Sequence, residues 1–160
     1  MRQLWAPWRM EFIRTAGEEQ ECFLCQAAQQ PTDEETLVVR RNERCFCLLN
    51  RYPYNNGHLL IAPYRHAGDL QELTDDELLC ALRLLREAQR TLNQVLRAHG
   101  YNIGANLGRS AGAGLAEHFH LHIVPRWIGD TNFMPIIGEA KVIPQALAEL
   151  GRQLRAEWRT

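Results

Sequence analysis

The chain has 160 residues, 46% hydrophobic and 23% charged, with a formal net charge of −1. That length suits a single domain with a real core, and the near-zero balance excludes bulk attraction to nucleic acid or to an anionic membrane. No apolar run approaches the roughly 18 residues of a membrane span, and the Arg2 to Arg14 start has no signal-peptide core, so a cytoplasmic protein without nucleic-acid or membrane partners is expected.

In chain order, residues 1–21 carry Trp5, Trp8 and Phe12 followed by a polar stretch, and read as an arm that docks by its aromatics. Next comes the tight pair Cys22-Phe23-Leu24-Cys25, whose spacing is that of a metal knuckle, one half of a zinc site; two reduced, partly buried thiols are the plain alternative. Residues 37–41, 44–50 and 58–62 read as three strands, with the turn-forming Pro53-Tyr54-Asn55-Asn56-Gly57 before the third. Short links between consecutive strands imply an antiparallel sheet.

A helix is expected from about 75 to 99, with Thr74 and Glu77 as a capping box, leucines at helical spacing and Gly100 at C′. His99, in its last turn, is read as a favourable charge at the helix end. Tyr101, Ile103, Ala105 and Leu107 then alternate with polar residues and glycine as on a half-buried strand. Asn106 opens a Gly-rich link, Gly108 to Gly114, in which Gly112 and Gly114 suit either a phosphate-binding backbone or a bare hairpin loop. Pro144 to Trp158 reads as a C-terminal amphipathic helix, while Cys45, Cys47 and Cys80 stand in apolar surroundings and read as packing. One domain over residues 1–160 follows, of class α+β, with one long helix, a C-terminal helix and an antiparallel sheet.

Residues 118–122 read His-Phe-His-Leu-His. On a strand His118, His120 and His122 project together, and Phe119, Leu121 and Ile123 project into the core. Same-face neighbours lie about 6.5 to 7 Å apart at Cα and the outer pair about 13 Å, so one metal cannot hold all three rings. Imidazole is also a nucleophile at neutral pH when its neighbours fix its tautomer, and the middle ring, His120, is the natural attacking group.

With two apolar residues after it, His118 to Val124 resembles the signature of the histidine-triad (HIT) family of nucleotidyl hydrolases and transferases. Leu49 to Pro53 and Gly57 to Pro63 resemble that family's ribose-binding strand and hairpin. Leu4 to Arg9 and Pro125 to Phe133 are similar to the branch of diadenosine tetraphosphate phosphorylases and hydrolases. The resemblance implies an HIT-like sheet and a nucleotide or dinucleoside polyphosphate substrate. It also implies His120 as nucleophile, with His118 and His122 as catalytic partners, and donors to the phosphoryl oxygens from Asn106, His122 and backbone near Gly112 and Gly114. Asn50 would contact ribose and His58 would lie beside the base or ribose pocket. Some bacterial members carry a Cys-Cys-His-His zinc, which here maps to Cys22, Cys25, His66 and His118; no organic cofactor is implied. Members are usually homodimers, with the Leu-rich helix as one candidate surface.

Phosphate or water would be the second acceptor, and Leu121 stands where phosphorylases of this branch often carry a polar residue. Two other classes fit the same residues: a metallohydrolase that uses triad histidines to activate water, and a nucleotide-binding sensor with little catalysis.

Overall fold

A computed structural model describes residues 22–30, 33–130 and 145–158. The aromatic arm, Thr131 to Phe133 and Pro144 lie outside the described residues.

Among the described residues five strands form one sheet: β1 (Val38–Arg41), β2 (Cys45–Leu49), β3 (Leu59–Pro63), β4 (Gly100–Gly104) and β5 (Leu121–Arg126), in the order β1-β2-β3-β5-β4. Every pairing is antiparallel, as the short connections required. Around it stand helices α1 (Phe23–Gln29), α2 (Asp33–Thr36, a single turn), α3 (Asp75–Leu96) and α4 (Leu147–Glu157). The three early strands and both long helices fall where periodicity placed them, within one to three residues at each end.

β2 and β3 are buried along their whole length, which is why Cys45-Phe-Cys-Leu-Leu and Leu59-Leu-Ile-Ala-Pro are unbroken apolar runs. One face of the sheet carries Cys45, Cys47, Leu49, Leu59, Ile61 and Ile123, and is covered by Leu84, Ala88 and Leu92 of α3 and Leu150 and Leu154 of α4. Phe46, Leu48, Leu60 and Ala62 form the other face, against Leu24 and Ala27 of α1. Each fully buried Leu contributes about 1.5–3 kcal/mol, so both layers are needed for a sheet this small. Leu60 pairs with His122. That register puts His122, and with the same sense His120, on the α1 face, away from the long helices.

α3 starts as expected: the Thr74 hydroxyl accepts from the Glu77 N–H and the Glu77 carboxylate accepts from the Thr74 N–H. It ends earlier than its pattern. Arg97 takes the left-handed conformation (φ +50°) that the sequence assigned to Gly100, and Gly100 opens β4 instead, paired with Arg126. His99 is therefore not at a helix end. Its backbone N–H donates to Arg126 O (2.9 Å) and its Nδ1 accepts from the Ile128 N–H (3.1 Å), as a neutral ring. β4 also departs from the half-buried reading, because it is the edge strand and Ile103 is 48% exposed.

The turn before β3 needs Gly57. Its φ is +76°, and a Cβ there would stand 2.5 Å from Leu96 Cδ1.

Candidate active site and metal centre

The triad strand is shorter at its start than alternation suggests, and the reason lies in its neighbour. Extending the register past Ile61↔Leu121 would set Phe119 opposite Pro63, which has no N–H to give. The Pro63 carbonyl instead accepts from the His118 ring Nε2 (2.9 Å), and the Phe119 N–H turns to Ala67 O (2.6 Å). The chain bends away there, and the three histidines divide between two jobs.

His118 is fully buried and its ring lies edge-on to His66, 5.1 Å between centroids. Because a carbonyl only accepts, Nε2 carries the ring proton and Nδ1 presents a lone pair. That lone pair is 3.2 Å from Cys22 Sγ and 3.5 Å from Cys25 Sγ, and Cys25 Sγ is 3.2 Å from His66 Nδ1. The four ligand atoms lie within 4.8 Å of one another. Two thiols and two imidazole nitrogens at these separations match a tetrahedral zinc set with bonds of about 2.0–2.3 Å. Burial and the neighbouring Cys22 push the Cys25 thiol up to about 11, a cost that a dication beside the thiols would reverse. Cys22 immediately precedes α1, at its N-cap position, and Cys25 lies in the first turn, so the knuckle is helical.

His120 points its Nδ1 at the carbonyl of His118 (2.8 Å). By the same logic Nδ1–H donates, leaving Nε2 with a lone pair. Burial holds its pKa below the ordinary histidine value, so it stays neutral and nucleophilic near pH 7. The His122 ring stands edge-on to it at 4.9 Å.

The tautomer of His122 is set from behind. The Tyr54 N–H donates to His58 Nδ1 (3.0 Å), with the Asn50 Nδ2 at 3.3 Å from the same nitrogen. A backbone N–H only donates, so His58 is neutral with its proton on Nε2, which it gives to His122 Nδ1 (2.9 Å). His122 must then carry its own proton on Nε2, a buried atom with no partner among the described residues. Burial first, then the nearby His120, pushes its pKa down to about 4. A lone pair on one ring and an unsatisfied N–H on the next thus stand on neighbouring rings, 4.9 Å between centroids, the two kinds of group that attack on a phosphorus and stabilisation of its oxygens require.

Other predicted residues divide as follows. Asn50 sits behind the site, its Oδ1 accepting from the Tyr52 N–H (2.9 Å). His58 is fully buried and its Nε2 reaches His122 Nδ1 (2.9 Å). Asn106 lies just beyond β4, where continuing the register Gly104↔His122 sets it opposite His120, and Gly104 leaves the space beside His122 open. The Gly112 N–H is used within its own turn, on Arg109 O (3.0 Å), so the loop in this conformation does not present that amide. Gly112 itself adopts φ +85°. Gly114 follows it on the approach to the triad.

Comparison with known proteins agrees with this geometry. The model of the HIT domain matches residues 32–127. This chain belongs to the HIT family. Among HIT relatives, it is 44% identical over 165 residues to the AP-4-A phosphorylase of Mycobacterium tuberculosis strain H37Rv, covering 99% of this chain and 85% of that one. It is 34% identical over 89 residues to the asymmetrical bis(5'-nucleosyl)-tetraphosphatase of Schizosaccharomyces pombe, 56% of this chain and 48% of the other. In structure it is similar to a Zn-bound histidine triad family protein from Mycobacterium smegmatis, at 26% identity and TM-score 0.70, over 87% of this chain and 94% of that one.

Three site features of this HIT chain escaped sequence reasoning. One is the His58–His122 contact, which joins residues 64 apart in the chain. Another is the Tyr54 ring, 4.6 Å from His58 and stacked on His122 at 5.8 Å. The last is the bidentate Arg65–Glu77 pair (3.0 and 2.7 Å) that anchors the loop carrying His66. Only Glu77 left a signal, its place in the capping box.

Proposed function

We propose that this protein cleaves dinucleoside polyphosphates of the diadenosine tetraphosphate kind by way of a nucleotidyl-histidine. His120 Nε2 attacks the α-phosphorus in line; the new N–P bond forms as the bond to the bridging oxygen breaks, and the remaining polyphosphate leaves with that electron pair. The positive charge on the ring is shared through Nδ1–H to the His118 carbonyl. His122 Nε2–H donates to the phosphoryl oxygens, and Asn106 adds a second donor. An oxygen of orthophosphate or water then displaces the imidazole, giving a nucleoside diphosphate or monophosphate. The observation that carries this reading is the opposed hydrogen bonding of two adjacent rings: His120 Nδ1 meets a carbonyl and His122 Nδ1 meets the His58 Nε2 donor.

Identity to a phosphorylase along nearly the whole chain favours phosphate as the acceptor. The test is incubation with diadenosine tetraphosphate with and without phosphate. ADP and ATP formed only with phosphate support phosphorolysis, AMP and ATP without it mean hydrolysis, and no turnover overturns the reading.

The Cys22, Cys25, His66 and His118 set is proposed to hold a zinc ion of structural kind, which when bound supplies a cross-link between α1 and the sheet and carries no step of the reaction. Metal analysis of the purified protein tests it: about one zinc per chain supports the site, and none opposes it. A homodimer is proposed through the exposed edge strand β4, with Ile103 at its surface, and is tested by light scattering. No described helix is long and apolar enough to cross a membrane, and none of the five cysteines is in a disulfide, which suits a reducing cytoplasm.

A further inference from the structure

The loop that follows β5 is tied back to the turn before β3 by one acid. Asp130 Oδ2 accepts from Asn55 Nδ2 (3.0 Å), from Arg126 Nε (2.6 Å) and from the Trp127 N–H (3.1 Å), and Oδ1 accepts from Arg126 Nη2 (2.9 Å). Its side chain is only 9% exposed, although Ile128 two residues earlier is 92% exposed. Asn55 Nδ2 also reaches Pro125 O (3.2 Å). Closing the loop locally needs only the contacts to Arg126 and Trp127; the bond to Asn55 goes 75 residues back along the chain.

Asn55 is the hinge of that contact. Its neighbour Tyr54 gives the N–H that fixes His58, and its own carbonyl accepts from the His58 N–H (3.2 Å). From there the chain of donors runs through His58 Nε2 to His122 Nδ1 (2.9 Å) and ends at the His122 Nε2–H, a buried donor with no partner among the described residues.

We propose that Asp130, acting through Asn55, is a positioning residue that holds the Tyr54 turn against His58 and so keeps the proton of His122 on Nε2. The proposal rests on the function given above, in which that N–H is the donor. If the turn slackens, the Tyr54 N–H leaves His58 Nδ1 with only the longer Asn50 Nδ2 contact (3.3 Å), and His58 is able to carry its proton there part of the time. His122 Nδ1 then loses its donor, the ring takes up its proton at Nδ1, and Nε2 offers a lone pair to an anionic oxygen. A donor becomes a repulsive acceptor with no change of net charge.

The test compares Asp130→Ala and Asn55→Ala with Asp130→Asn, which keeps an oxygen for Asn55. Ring ¹⁵N–¹H correlation spectra of the full chain without substrate read which His122 nitrogen is protonated. The expected result is a single Nε2-protonated tautomer in the parent and in Asp130→Asn, and a mixture in both alanine variants. With diadenosine tetraphosphate, kcat falls about tenfold in the alanine variants with KM within about twofold, and Asp130→Asn retains most of it. A folded Asp130→Ala whose His122 remains wholly Nε2-protonated overturns the proposal, whether or not kcat falls. Should Asp130→Ala not fold, Asn55→Ala decides by the same spectrum. If the spectra behave as expected but the parent consumes no dinucleoside polyphosphate, the positioning role stands and the proposed function fails.

Discussion

An imidazole attacks phosphorus only while one nitrogen is bare, and the protein secures this at His120 by giving the other nitrogen's proton to a carbonyl and by burying the ring. Replacing His120 with Asn is expected to lower kcat at least about 10³-fold while nucleotide affinity changes only a few-fold, measured by single-turnover kinetics and calorimetry. The acid limb has a defined sign. His122 has its pKa lowered to about 4, so it stays neutral through ordinary pH and gains its second proton only as the medium approaches that value. The charged ring would set an Nδ1–H against the His58 Nε2–H, breaking the relay. Burial lowers the attacking ring His120 as well, so the pH profile of kcat/KM should be level through neutrality, fall only below the ordinary histidine value, near 6.5, and be lost by about pH 4; a fall centred at or above 6.5 would contradict it. The clustering of the triad rings was legible in the sequence because a period-2 pattern of one residue type has few other causes. The division of labour was not, since it depends on Pro63 lacking an N–H, a tertiary fact about the opposite strand.

At the scale of elements, the entrance to α3 carries a double function. Glu77 caps the helix and grips Arg65, whose guanidinium also donates to Glu72 O (2.5 Å), so the segment from β3 to the helix is pinned and His66 is presented toward the cysteines. The Arg65 hydrogen bonds, with Thr74, bring the Glu77 carboxyl down to about 2. A carboxyl whose pKa is lower folded than unfolded stabilises above its unfolded value, 4.5, and loses that contribution as pH falls toward 2. Glu77→Gln should therefore cost about 2 kcal/mol near neutrality by thermal melt, and the difference from the parent should shrink below pH 4.5. Gly57→Ala meets both a positive φ and the Leu96 methyl, and should cost about 1–3 kcal/mol in the same assay. Element identity was read well because β2, β3 and α3 have strong patterns. α1 and α2 were missed, as short segments of one or two turns carry too few repeats to show a period. The end of α3 was misread because Gly100, the best left-handed residue nearby, was needed in the sheet, leaving Arg97 to take the turn.

For the whole molecule, the two sheet faces serve different ends: the long helices seal one, and α1 with the Cys-Cys-His-His cluster borders the other, where the triad lies. A chain of this size gives little stability to spare, so a bound ion that ties α1 to the triad segment should matter globally. Chelation at neutral pH is expected to lower the melting temperature by roughly 10 °C, equivalent to about 3 kcal/mol, with zinc addition restoring it. An unchanged melt would count against the site.

His118 belongs to both halves of this arrangement, its imidazole facing the thiols and its main-chain oxygen holding His120. Scanning the triad by substitution will therefore mislead at the first position: a His118 variant loses at once the ring nitrogen that faces the thiols and the Nε2–H that holds the segment to the Pro63 carbonyl, while its own carbonyl stays available to His120, so its defect reports on no single contact. Only a Cys25→Ser partner experiment, which leaves residue 118 intact, separates the two losses.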